Sequence, residues 1–177
     1  MVHTTTRTEW EARYVSQYLA DFYPAATVMH RVPMGDIPAD LKAAVGDQAA
    51  FQWFRPSRPV ADAIAITPTT LILIEGKIFN PNQAIGQLLF YSRLIDFTPE
   101  LRPYVSLPRV YQVVTAREPP WATHAQEFTD VQIVVYAPDW IQDYYNHLQS
   151  YWTKNARAAR TTRKQTLTAL GFTSGAT

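Results

Sequence analysis

Leu71-Ile72-Leu73-Ile74-Glu75-Gly76-Lys77-Ile78-Phe79 is the stretch that decides how this chain is read. Its unbroken run of Leu and Ile predicts a strand buried on both faces. Two charged residues, Glu75 and Lys77, sit inside it. Burying charge is costly unless the charge is paired or holds a metal. Side chains alternate faces along a strand, so residues two apart point the same way. Glu75 and Lys77 therefore project together. Just upstream, Val60-Ala61-Asp62-Ala63-Ile64-Ala65-Ile66 is a second apolar strand carrying one acid. The turn Thr67-Pro68-Thr69-Thr70 joins the two as a hairpin.

Working outward, Thr8-Glu9-Trp10-Glu11 opens a first helix, with Thr8 as cap and Glu11 completing a capping box. Tyr23-Pro24 ends that helix. Ala26 to Val32 reads as a strand. Pro33 to Asp40 is a loop rich in Pro, Gly and Asp, leading into a short helix at Leu41 to Val45. The aromatic stretch Phe51-Gln52-Trp53-Phe54 and the loop Arg55-Pro56-Ser57-Arg58-Pro59 precede the hairpin. After it, Asn80-Pro81-Asn82 marks a turn into a helix over 83–95. Val110 to Thr115 is a strand, Glu118-Pro119-Pro120 a break, and Val131 to Tyr136 another strand. Asp139-Trp140 starts a basic C-terminal helix, about 139–170, and 171–177 is a loose tail. No repeat, linker or boundary divides the sequence, so one domain over 1–177 is expected. Helices interleaved with strands predict an α/β layered domain around a central mixed sheet.

Composition narrows the function classes. At 177 residues and 47% apolar, the chain is long and apolar enough to fold around a core. No apolar run approaches the ~20 residues of a membrane span. The first seven residues carry no apolar core of a secretory signal. With no cysteine, disulfides, thiolate zinc sites and cysteine-held iron–sulfur clusters are excluded. That composition fits a reducing cytoplasm. His3, His30, His124 and His147 are scattered without ligand spacing. The net charge of +1 argues against a globally basic nucleic-acid coat. Charge is nonetheless uneven: Lys154, Arg157, Arg160, Arg163 and Lys164 follow one another with no acid between them. Such a local basic element is compatible with a phosphate backbone, as are Arg55 and Arg58 just before the motif.

Asp62, twelve residues, then Glu75-Gly76-Lys77 resembles the PD-(D/E)xK nuclease superfamily. The element order is similar to that family's core: helix, three antiparallel strands with the motif on the second and third, helix, strand. Downstream, Gln87-Leu88-Leu89-Phe90-Tyr91 resembles the Gln-x-x-x-Tyr motif of the RecB-like branch. Gln87 and Tyr91 are four apart and share a helix face. Ala61 stands where the proline of the family's name would be.

The resemblance implies a restriction-endonuclease-like α/β core and metal-dependent hydrolysis of DNA. It implies Mg²⁺ or Mn²⁺ held by Asp62, Glu75 and the Gly76 carbonyl, with Glu11 as a further acid near the ion. It assigns Lys77, Gln87 and Tyr91 to catalysis beside the two acids. Arg55, Arg58, Arg157, Arg160 and Lys164 would contact DNA. A protein partner or a second copy of the chain is open. The protein would be cytoplasmic, or virion-associated if phage-encoded.

Blander readings stand beside these. Glu75 and Lys77 can form a structural ion pair, Glu11 can serve only its helix, and Tyr91 can be half-buried core. The basic run can be a solvated helix face, and the five tryptophans are expected in the core. Two other classes of function follow from these: a nuclease fold kept as a non-catalytic DNA-binding or assembly module, and an unrelated α/β ligand-binding domain.

Overall fold

A computed structural model describes residues 7–151, together with 158–159, 161–162 and 165–166. The chain divides into two compact units, residues 1–137 and 138–177. In the second, the described helix α6 covers Ile141–Tyr151, and the expected continuation toward 170, with the tail, lies largely outside the described residues.

The first unit is built on a five-stranded mixed sheet in the order β1-β2-β3-β4-β5. β1 (Thr27–Pro33), β2 (Val60–Ile66) and β3 (Leu71–Gly76) are antiparallel neighbours. β4 (Arg109–Thr115) and β5 (Val131–Val135) run parallel to β3. The switch has a chain-geometry cause. A short turn can join β2 to β3, but parallel neighbours need a crossover. Helix α4 (Asn82–Leu94) and the 3-10 turns after it carry the chain from β3 to β4. Helix α5 (Ala122–Phe128) carries it from β4 to β5.

β3 lies at the centre, and all six of its residues are buried, which is why its sequence is apolar on both faces. On one face Leu71, Leu73, Ile64 and Ile66 pack with Ala84, Leu88 and Tyr91 of α4. On the other lies α1 (Arg7–Phe22), which buries Tyr14, Val15, Tyr18 and Leu19. Its approach to β3 is close. A Cβ on Gly76 would stand 2.2 Å from Val15 Cγ2, so only glycine fits there. Gln112 of β4 is buried on this face. Its side-chain oxygen accepts from Tyr18 and Tyr23, and its amide donates to Gln132.

The predicted strands and the helix after the motif form within a residue or two of their expected bounds, except that β3 ends at Gly76, three residues before the expected Phe79. One helix was less legible. Asp47–Phe54 forms a helix, α3, where the sequence reads only as an aromatic stretch, and it follows α2 (Ala39–Val45) directly. The expectation that the tryptophans lie in the core fails at Trp53, which is 67% exposed on α3. Among the described residues, no helix is long and apolar enough to cross a membrane.

Candidate active site

β2 and β3 stay paired as far as Ala63↔Ile74. The next pair in that register is Asp62 and Glu75, and there the ladder stops. Side chains supply the missing bonds. The Asp62 amide donates to Glu75 Oε1 at 3.2 Å, and the Gly76 amide donates to Asp62 Oδ2 at 3.0 Å. Each strand thus orients the carboxylate of the other with a backbone N–H. Lys77 completes the group. Its Nζ lies 3.2 Å from Glu75 Oε2 and 3.4 Å from Asp62 Oδ2. Its own amide donates to the Val114 carbonyl at 2.8 Å, which ties the motif to β4.

Exposure grades across the trio. Glu75 has 1% of its side chain exposed, Lys77 17% and Asp62 36%. The site is therefore dry at Glu75 and open at Asp62. Burial, and then the neighbouring Asp62 charge, push the Glu75 carboxyl up to about 8, with Lys77 pulling the other way. Burial also works against the Lys77 charge, but Asp62 and Glu75 more than offset it, so the ammonium is held above its ordinary value. Two carboxylates thus share one ammonium, and the buried one resists ionising until more positive charge arrives.

Helix α4 brings the two residues of its motif to this group. The Tyr91 hydroxyl donates to the Val60 carbonyl at 3.4 Å, two residues before Asp62 on β2. Burial, then Glu75 and Asp62, raise its pKa, while a side-chain hydrogen bond with Gln87 opposes them. Gln87 Oε1 is buried and has no hydrogen-bond partner among the described residues. A carbonyl oxygen left so is expensive.

A cleft of about 190 Å³ opens beside Asp62, lined also by Glu11, Ala12, Val15 and Ser16 of α1 and by His30 and Arg31 of β1. Glu11 acts on the site through charge, favouring the ammonium form of Lys77. The cleft therefore brings Glu11, the further acid expected near an ion, to the same opening as Asp62. Among the described residues, no three of His, Cys, Asp and Glu converge to hold a metal. Sequence reading also missed Ser16, His30 and Arg31 as cleft residues, because nothing in their spacing points to this end of the sheet.

The phosphate role expected of Arg58 is corrected too. Arg58 is 5% exposed. Its guanidinium donates to the carbonyls of Pro33, Met34 and Gly35 and to both carboxylate oxygens of Glu100. Every direction of its fork faces protein. Arg55 sits in a 3-10 turn, Arg55–Ser57, its side chain outside what is described. Arg157, Arg160 and Lys164 lie outside the described residues.

The donor set fits a hard divalent cation of the Mg²⁺ kind. Mg²⁺ is held by one or two carboxylates and keeps several waters, whereas a closed zinc cage needs several imidazoles or thiolates; the chain has no cysteine, and the cleft lining at Asp62 includes a single imidazole, His30.

No family model and no curated protein matches the chain. Among solved structures, it is similar to a repair endonuclease from Pyrococcus abyssi, with 12% identity and a TM-score of 0.43. The alignment covers 75% of this chain and 48% of that one, so the chain spans about half the length of that protein.

Proposed function

We propose that this chain is a metal-dependent nuclease of the PD-(D/E)xK superfamily, nearest its RecB-like branch, hydrolysing phosphodiester bonds in DNA. One observation carries the reading. Asp62, Glu75 and Lys77 converge where two central strands stop pairing, held by reciprocal backbone-to-carboxylate bonds. A purely structural sheet has no need to end its best-buried strand this way.

Hydrolysis needs an attacking water, neutralisation of the phosphate and a proton for the leaving oxygen. Asp62, Glu75 and the Gly76 carbonyl are the residues that would hold Mg²⁺ or Mn²⁺. When bound, such an ion acidifies a coordinated water and polarises the phosphate. The Lys77 ammonium, kept charged by its carboxylate neighbours, orients the water and stabilises negative charge gathering on the phosphate. The Asp62 and Gly76 amides keep both carboxylates in place without reorganisation. Tyr91 braces α4 against β2, and the unpartnered Gln87 oxygen accepts a hydrogen bond from water or from the substrate sugar. The test is cleavage of end-labelled DNA by Asp62→Ala and Glu75→Ala variants. Each is expected to lose about 100-fold or more in rate with circular dichroism unchanged. Wild-type rates in either would overturn the assignment.

A second reading has its own observation. Lys77 already bridges both carboxylates, and a salt-bridged trio of this kind can stand without a metal in a module that only binds DNA or builds an assembly. Calorimetric titration with Mn²⁺ separates the two. Heat of binding that disappears in Asp62→Ala supports the nuclease, and no binding by the wild type supports the module.

A further inference from the structure

We infer that Arg31 is a phosphate-binding residue of this site, gripping the DNA backbone beside the phosphate at Asp62 and Glu75. The inference rests on the nuclease reading and adds a residue that neither the motif nor its spacing assigns.

Three observations meet at Arg31. The first is the ladder between β1 and β2. His30 pairs with Ala63 and Val32 with Ala61, but the pair between them, Arg31 opposite Asp62, is missing. The second is the backbone. Arg31 has φ 51°, in the left-handed region that a β-strand residue with a long side chain rarely enters. The sheet is thus opened on both sides of Asp62, toward β3 by the carboxylate bonds and toward β1 by this turn of the chain. The third is the side chain. Arg31 is exposed and lines the cleft together with Asp62 and Glu11. Two acids line its cleft, yet among the described residues it forms no ion pair. Asp62 is committed to Lys77 and to the Gly76 amide.

An unpaired guanidinium at the mouth of an acid-lined cleft has a chemical use when the substrate is a polyanion. The carboxylates repel a phosphodiester, and Lys77 offsets only part of that. A planar fork with parallel N–H donors matches two phosphate oxygens, and Arg is the side chain that offers it. Cross-strand neighbours lie side by side, so a phosphate held by Arg31 is next to one placed at Asp62. Arg31 therefore sets where the strand lies and leaves the bond-breaking to Asp62, Glu75 and Lys77.

Arg31→Gly makes the test clean, because glycine accepts the positive φ that alanine would strain. Binding of a labelled DNA duplex is measured in Ca²⁺ at several salt concentrations, with melting temperature as a check on folding. Arg31→Gly is expected to bind about tenfold more weakly, with log K against log salt shallower by about 0.9, the slope of one phosphate contact. Arg31→Lys should keep the slope and recover only part of the affinity, since it retains the charge but not the fork. Wild-type affinity and slope in Arg31→Gly would overturn the inference while leaving the nuclease reading intact. Weakened binding with an unchanged slope would also overturn it, since the loss would not be that of a phosphate contact. A wild-type chain that does not bind DNA at all would overturn both.

Discussion

Glu75 is the residue on which the site turns. It has almost no exposure and sits opposite a second acid, with one ammonium between them. Its folded pKa, about 8, lies above the ordinary 4.5. The folded state therefore holds the Glu75 proton more tightly than the unfolded chain does. That contribution to stability is fully present below about 4.5 and is lost as the pH rises through about 8. Without divalent cations, the melting temperature should fall between these limits, and Glu75→Gln should flatten the fall. Mn²⁺ should restore stability most strongly near pH 8, where the carboxylate is ready to bind it. A wild-type profile as flat as that of Glu75→Gln would contradict this account of the charge. Gly76 carries a second prediction. A Cβ there meets Val15 in the packed face of α1, so Gly76→Ala should cost about 1–3 kcal/mol in denaturant unfolding. Val15→Ala should recover part of the loss by making room. Glu75 and Lys77 were legible in the sequence because charge in an apolar strand is costly and so conspicuous. The packing duty of Gly76 was not, since it depends on which helix crosses the strand end. Arg31 was not, since its backbone angle has no signature in residue type.

The elements that place these side chains were mostly legible. β2 and β3 announce themselves by apolar runs around a proline-containing turn, and α4 by its periodicity and its start at Asn80-Pro81-Asn82. What the hairpin spacing did not reveal is that β2 and β3 part at Asp62 and Glu75. The parting depends on amides bonding carboxylates rather than carbonyls, a choice made by tertiary geometry. α3 was missed because Asp47–Phe54 mixes alanine with aromatics, and its exposed Trp53 breaks the usual apolar face. Arg58 was misread for a related reason. A loop arginine beside a nuclease-like motif looks like a phosphate contact, but this loop needs a donor for the carbonyls of Pro33, Met34 and Gly35. Arg58 supplies it and is paired with Glu100. Arg58→Lys keeps the charge but loses the five-donor fork, and should cost about 1–3 kcal/mol, the scale of buried carbonyls left without a donor. Its DNA affinity, measured below the melting transition, should match the wild type. A selective loss of DNA binding with stability intact would return Arg58 to the interface.

At the scale of the whole molecule, charge and fold fit together. A chain of net charge +1 has no global field to collect DNA, so under the proposed function its attraction for DNA must be local. Among the described residues of the first unit, the cations at the site are Lys77, committed to the acids, and Arg31, which forms no ion pair with them. The α/β architecture gives those groups a rigid base, because β3 is buried on both faces and its C-terminal end presents the motif. The order of elements was legible because the β2–β3 link is a tight turn and each parallel crossover is long enough to hold a helix, whereas the long β1–β2 link hid α3.

The most direct measurement of the central claim is cleavage of linear and supercoiled DNA by the wild type and by Lys77→Ala, each with Mg²⁺, with Mn²⁺ and with EDTA. The account predicts cleavage by the wild type with either ion, none in EDTA, and none by Lys77→Ala although that variant remains folded. Cleavage that persists in EDTA, or a Lys77→Ala chain as active as the wild type, would contradict it.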